Sequence, residues 1–249
     1  MLSVFRTSAK PSPRRDAYPS RRIYAIGDIH GRLDLLEILA GKLALHLEQA
    51  RSENAVIVLL GDYIDRGPQS AGVIDRLLAD RLPAPAVFLR GNHEATLLHF
   101  LEDESVLESW RQFGGLETLV SYGVDVREAM RGRNYAGAQA QLKTRMPAEH
   151  LRFFERTRLS WTSGDYFFCH AGVRPGLALA RQQEQDLLWI REDFTEFRGS
   201  LEKVIVHGHT PAPAPELLPN RINVDTGAYA TNVLTCAILE GERRSFIAT

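Results

Sequence analysis

Cysteine is almost missing from this sequence: Cys169 and Cys236 are the two present, far apart in the chain. They cannot build the disulfide framework of a small secreted domain and fit a reduced, cytoplasmic setting. Long hydrophobic runs are missing too. No apolar stretch approaches the roughly 18 residues of a membrane span. The opening segment MLSVFRTSAKPSPRRDAYPSRR holds no continuous apolar stretch that could serve as a signal-peptide core. Nor is either sign of charge in excess, with 30 Lys plus Arg against 31 Asp plus Glu. Net charge therefore points to neither a nucleic-acid nor a membrane partner. Internal repeats are lacking, and compositional bias is confined to the first 20 residues.

What is present suits a globular enzyme-sized domain. The chain has 249 residues, 44% of them hydrophobic and 24% charged, enough to bury a sizeable core. The Pro, Ser and Arg of residues 1–21 read as a flexible basic arm. Residues 22–249 read as one domain.

From Arg22 the pattern alternates strands and helices. RIYAI predicts a short strand followed by the loop GDIHG. The next segment carries Leu33, Leu36, Leu39, Leu43 and Leu47 at helical spacing. AVIVLL predicts a buried strand leading into GDYIDRG, QSAGVIDRLLAD a helix, and APAVFLR a strand ending in GNHE. Such alternation argues for α/β architecture, in which ligand sites gather at strand carboxyl ends. Residues of about 100–158 change to a polar, helical pattern and read as a cap inserted between two halves of the domain. LSWTSGDYFFCHAG then predicts a hairpin turning at SGD. Strands follow in KVIVHGHTP and around INVDTG, NVLTCAIL and RRSFIAT.

GDYIDRG is richer than a turn needs. A turn after a buried strand asks for a glycine and one Asp or Asn, not a second acid three residues on with an arginine beside it. The neighbouring strand ends are equally polar, so that Asp28, His30, Asp62, Asp65, Asn92, His93, His170 and His209 all follow predicted strands. Carboxylates, imidazoles and an amide oxygen suit Mn, Fe or Zn better than Ca or a thiolate-bound metal. Each motif carries a glycine that lets backbones approach closely.

GDIHG, GDYIDRG, GNHE, HAG and GHT occur in the order and approximate spacing of the PPP-type phosphoprotein phosphatases, in the calcineurin-like metallophosphoesterase superfamily. Residues 22–245 resemble that family, and its bacterial and phage branch most, which shares RGNHE, W-x-R-E (Trp189 to Glu192) and DTGA (Asp225 to Ala228). The resemblance implies a β-sandwich of two mixed sheets flanked by helices, with the helical cap beside the cleft. It implies two divalent metal ions, Mn²⁺ foremost with Fe or Zn as alternatives. Asp28 and His30 would bind the first, Asp62 would bridge, and Asn92, His170 and His209 would hold the second. His93 would be the general acid oriented by Asp65, and Arg66, Arg90 and Arg191 would grip phosphate.

The activity so implied is removal of phosphate from phosphoserine or phosphothreonine proteins, with phosphotyrosine as a further substrate, by a metal-bound hydroxide and without a phosphoenzyme. The alternative is a symmetrical dinucleoside tetraphosphatase on the same metal frame, which the complete DRG and GNHE disfavour. A phosphorylated protein or peptide is the expected partner, with no nucleic acid, membrane or obligate regulatory subunit. Pro211 after GHT leans away from the superfamily's phosphodiesterases, which often place a histidine there. His207 is expected to support the site, with a ligand role left open, Glu94 to favour the start of a helix, and Cys169 to fill a strand. His46, His99 and His150 read as ordinary surface or half-buried histidines and Trp189 as core. Asp225 is left open between a hydrogen-bond acceptor at the site and a turn acid.

Overall fold

The computed structural model describes residues 21–50, 54–79, 82–241 and 243–249. All but the last residue of the predicted basic arm lies outside them. Among the described residues the order begins β1 (Arg22–Ile26), α1 (Leu33–Gln49), β2 (Ala55–Leu59), α2 (Ser70–Leu78), β3 (Ala86–Phe88) and α3 (Asn92–Glu102). Four helices follow: α4 (Leu107–Trp110), α5 (Gly115–Ser121), α6 (Tyr135–Arg145) and α7 (Ala148–Arg156). The second half runs β4 (Ser160–Ser163), β5 (Tyr166–Cys169), α8 (Glu184–Trp189), α9 (Glu192–Thr195) and β6 (Val204–His207). It ends with β7 (Glu216–Leu217), β8 (Arg221–Asn223), α10 (Ala228–Thr231), β9 (Thr235–Glu240) and β10 (Arg243–Ala248).

The strands form two five-stranded sheets, in the orders β10-β9-β1-β2-β3 and β4-β5-β6-β8-β7. Both are mixed. β1, β2 and β3 run parallel, with β9 antiparallel to β1. β5, β6 and β8 run parallel, with β4 and β7 antiparallel at the edges.

Alternation along β1 explains the layers. Ile23 and Ala25 pair with Val56 and Val58 and join Tyr166, Phe168, Val206 and Ile222 in a core between the sheets. Tyr24 and Ile26 pair with Ile57 and Leu59 and face the other way, onto the helices. A strand buried on both faces reads as a continuous apolar run, hence RIYAI and AVIVLL. Each such side chain contributes about 1.5–3 kcal/mol on burial.

The helical insertion is less of a cap than its composition suggested. Leu97, Phe100, Leu107, Trp110, Leu119, Leu142 and Phe154 share one core with Leu36, Leu39 and Leu43 of α1 and Val73, Ile74 and Leu77 of α2. The outer face of the second sheet is closed separately, by Leu187, Ile190 and Phe194 against Phe167, Cys169 and Ile205. Cys169 is strand filler, as its position implied. Trp189, expected in the core, is instead 41% exposed. It ends α8, where Leu187 and Leu188 supply the buried face. His150 also departs from expectation: it is fully buried, held between the Tyr122 hydroxyl at 2.9 Å and Asp75 at 3.0 Å.

Candidate metal centre

Six parallel strands, three in each sheet, release the loops that build the site. β1 leads to Asp28 and His30, β2 to Asp62 and β3 to Asn92 and His93. β5 leads to His170, β6 to His209 and β8 to Asp225. The backbone there is strained. Of the seven described non-glycine residues with positive φ, five are His30, Asp62, Asp65, Arg66 and His209. Such conformations persist where surrounding structure over-determines them, commonly at functional sites. Glycines make the crossings possible: a Cβ on Gly61 would collide with the backbone of Gly91, and one on Gly67 with the carbonyl of His30.

Glu94 ties two of these loops together. Its carboxylate accepts the N–H of Gly91 at 2.9 Å, Asp62 at 2.8 Å and Tyr63 at 2.8 Å. The expected favourable charge at a helix start becomes a buried clamp between GDYIDRG and GNHE. Burial and the nearby Asp62 push its proton affinity up to about 8, while the Gly91 and Tyr63 N–H groups pull against them.

Two clusters of ligand atoms share Asp62: His30, Asp62 and His93, and Asp62, His170 and His209, with the ligand atoms of each group within 4.8 Å of one another. Asn92 Oδ1 lies 2.8 Å from His170 Nε2 and 2.9 Å from His209 Nδ1. The ring orientations favour a cation. His170 donates Nδ1–H to the Leu60 carbonyl at 3.0 Å, as metal-ligating histidines commonly do. Its Nε2 lone pair then faces only acceptors, Asn92 Oδ1 and the Asp62 carboxylate at 3.4 Å. His30 likewise gives Nδ1–H to the Ile64 carbonyl at 2.9 Å and turns Nε2 to Asp62 at 3.5 Å. Burial lowers the proton affinity of His30, to about 3, and of His170, so a second ring proton is disfavoured. Burial acts oppositely on Asp62, yet the charges of His170, His93, His30 and His209 hold its carboxyl well below the usual range. Lone pairs converging on one buried carboxylate fit divalent ions better than protons.

Asp28 stands slightly apart. Its carboxylate accepts the His209 N–H at 3.0 Å and shares a hydrogen bond with Asp225. Burial and the charges of Asp225 and Asp62 push Asp28 well up, and burial pushes Asp225 up to about 6. Two buried carboxyls in contact need a proton or a cation between them. Asp225 is thereby placed at the site; DTG alone left that open. His207 is not a ligand here: its ring lies edge-on to Phe194, 4.9 Å between centroids, while its Nδ1 is 3.0 Å from the Gly208 carbonyl oxygen.

His93 and Asp65 meet as implied, Nδ1 to Oδ2 at 2.5 Å. Burial lowers the imidazole's proton affinity, but Asp62 and Asp65 outweigh it and raise the value to about 9. The geometry also brings His93 Nε2 within 3.7 Å of Asp62, into the first ligand cluster where Asp28 was expected.

The three arginines differ. Arg66 sits in the site, with Nη1 3.0 Å from His30 Nε2, Nη2 3.4 Å from His93 Nε2 and its guanidinium 4.4 Å above the Tyr229 ring. Tyr229, 40% exposed, went unremarked in the sequence because nothing local distinguishes it from a turn residue. Arg191 is exposed, and its charge reaches His170 and His209. Arg90 spends its guanidinium on Thr157 Oγ1 at 3.1 Å and the carbonyls of Phe154 and Glu155 at 3.3 and 3.1 Å, capping the end of α7.

Residues 21–237 match the family model described as calcineurin-like phosphoesterase, and the chain belongs to that family. A protein of Anoxybacillus flavithermus named bis(5'-nucleosyl)-tetraphosphatase PrpE (asymmetrical) is 28% identical over 231 residues, spanning 84% of this chain and 87% of that protein. The protein of the same name from Bacillus subtilis is 27% identical over 231 residues, with the same coverage. Among solved structures, one whose assignment as a diadenosine tetraphosphatase is provisional superposes with a TM-score of 0.62 at 22% identity, covering 94% of this chain and 98% of its own. A cold-active protein tyrosine phosphatase gives a TM-score of 0.56 at 18% identity over 93% of this chain and 80% of its own. These structures share the fold, and the chain is a metallophosphoesterase.

Proposed function

We propose that this calcineurin-like phosphoesterase hydrolyses dinucleoside tetraphosphates. The observation that carries the reading is the name shared by the relatives matched over more than four fifths of the chain. It reverses the preference for phosphoproteins that DRG and GNHE suggested. Water adds to one phosphorus of the tetraphosphate and a bridging P–O bond breaks. Diadenosine tetraphosphate and water then give ATP and AMP, the asymmetrical outcome, or two ADP, the symmetrical one.

Asp28, His30, Asp62, Asn92, His170 and His209 would hold two divalent ions, Mn²⁺ foremost, which supply charge neutralisation and a nucleophile at neutral pH. Arg66, backed by Tyr229, offers its planar fork to phosphate oxygens. Arg191 lends further positive charge, and Arg90 acts by fixing the end of α7. His93, aimed by Asp65, protonates the departing oxygen. The reduced state of the two buried cysteines accords with a cytoplasmic setting.

A second reading, a phosphoprotein phosphatase, is favoured by one specific observation: the complete His93–Asp65 pair. A serine alkoxide needs a proton donor far more than a nucleotide phosphate does. Metal-stripped protein given Mn²⁺ and diadenosine tetraphosphate, followed by nucleotide chromatography, tests the first reading, with a phosphoserine peptide assayed alongside for orthophosphate. Nucleotide products abolished by chelation support it; an intact dinucleotide with an active peptide overturns it in favour of the second.

A further inference from the structure

We propose that Trp110 and Thr118, carried by the helical insertion, are positioning residues that aim the His93–Asp65 pair. The inference rests on the reading of His93 as proton donor given above. Asp65 is fully buried, and its carboxylate is surrounded by three donors. Oδ2 accepts from His93 Nδ1 at 2.5 Å and from Trp110 Nε1 at 2.6 Å, while Oδ1 accepts from Thr118 Oγ1 at 2.5 Å. Having donated its one proton to Oδ1, the Thr118 hydroxyl can only accept from the Asp65 N–H at 2.9 Å and from the Ser70 hydroxyl at 3.0 Å. Every polar atom around Asp65 is thus assigned, and the carboxylate plane cannot turn without losing a hydrogen bond.

The insertion is shaped around this loop. Gly114, at φ 99°, accepts the Arg66 N–H at 3.2 Å, and a Cβ there would collide with the Arg66 backbone. A Cβ on Gly115 would collide with the Trp110 ring, which is itself buried against Phe100. WRQFGGLET, read from sequence as a plain helical stretch, is therefore the lining of the proton-donating half of the site. A phenylalanine would fill most, though not all, of the space that Trp110 occupies; the indole adds an N–H that must find a partner when buried. With its carboxylate locked, Asp65 holds the imidazole by Nδ1 and leaves Nε2 facing Asp62.

The experiment compares Trp110→Phe, Thr118→Val and Thr118→Ser with the unaltered protein, loaded with diamagnetic Zn²⁺ for spectroscopy and with Mn²⁺ for kinetics. Its first readout is the low-field proton resonance of the His93–Asp65 bond, assigned by its loss in His93→Asn. Its second is kcat against KM on the substrate cleaved best. Trp110→Phe and Thr118→Val should shift or broaden the resonance and lower kcat by up to about 10–100-fold, the range for lost outer partners of a site, and by no more than His93→Asn does on the same substrate. KM and metal content should hold, and Thr118→Ser should restore both readouts. If Trp110→Phe fails to fold, the isosteric Thr118→Val decides alone. An unmoved resonance and kcat with only a lower Tm would make the segment a staple and overturn the proposal. So would Thr118→Ser as damaging as Thr118→Val. The resonance is read without substrate, so failure of the dinucleotide reading leaves this test intact.

Discussion

Asp62 and Asp65 stand three residues apart in one loop, both buried and both at positive φ, yet they face opposite surroundings. Asp62 lies among imidazoles, with His30, His93 and His170 nitrogens 3.4–3.7 Å from its oxygens. Asp65 is held by an indole, a hydroxyl and a single imidazole at 2.5–2.6 Å. The first environment gathers the Nε2 lone pairs of His30 and His170 and calls for a cation, while His93 brings a proton to its edge. The second gives both oxygens to donors, two on Oδ2 and one on Oδ1, and calls for none. Residue type does not decide whether an aspartate binds a metal or orients a neighbour; what converges on it does.

The largest effect should come from breaking the metal side. Asp62→Asn removes the charge common to both clusters. Metal content should drop below two ions per chain and turnover should fall by at least about 10³-fold, the loss implied by several kcal/mol of charge stabilisation. Unchanged metal content would assign the bridge elsewhere. The proton side should break differently. His93→Asn should lower kcat by about 10²–10⁴-fold for an alkyl phosphate and less for a nucleotide leaving group, with metal content preserved. Metal loss in this variant would instead make His93 a ligand, as its place in the first cluster allows.

The smallest effect should sharpen the comparison. Glu94→Gln leaves two of four backbone N–H groups facing an amide NH₂. The cost should be about 1–3 kcal/mol of stability, read as a Tm lower by about 2–4 °C per kcal/mol. Both halves of the site should loosen together, since the clamp joins their loops. A Tm equal to that of the unaltered protein would show that the clamp carries no load.

Much of the ligand frame was legible because it follows strands. β1, β2, β3, β5 and β6 have apolar runs that end abruptly in Gly plus acid, Asn or His, and a parallel block delivers such ends to one place. Tyr229, Trp110 and Thr118 had no such signature. A tyrosine in a turn, or a tryptophan and threonine in helices, look like packing residues until the chain's return path is known. Arg90 shows the converse: its place beside GNHE suggested phosphate, whereas α7 arrives to offer it carbonyls instead.

Periodicity by itself determined the alternation of strands and helices and set residues able to bind metal at strand ends, because these depend on local backbone preference and side-chain chemistry; the sandwich class came only through the resemblance of the ordered motifs to a known family. Tertiary structure alone decided which aspartate meets which partner. It wrapped WRQFGGLET around Asp65, set Asp225 against Asp28 and turned His207 onto Phe194. Those choices are made by elements far apart in the chain, and the electrostatic surroundings of a buried carboxylate exist only once those elements have met.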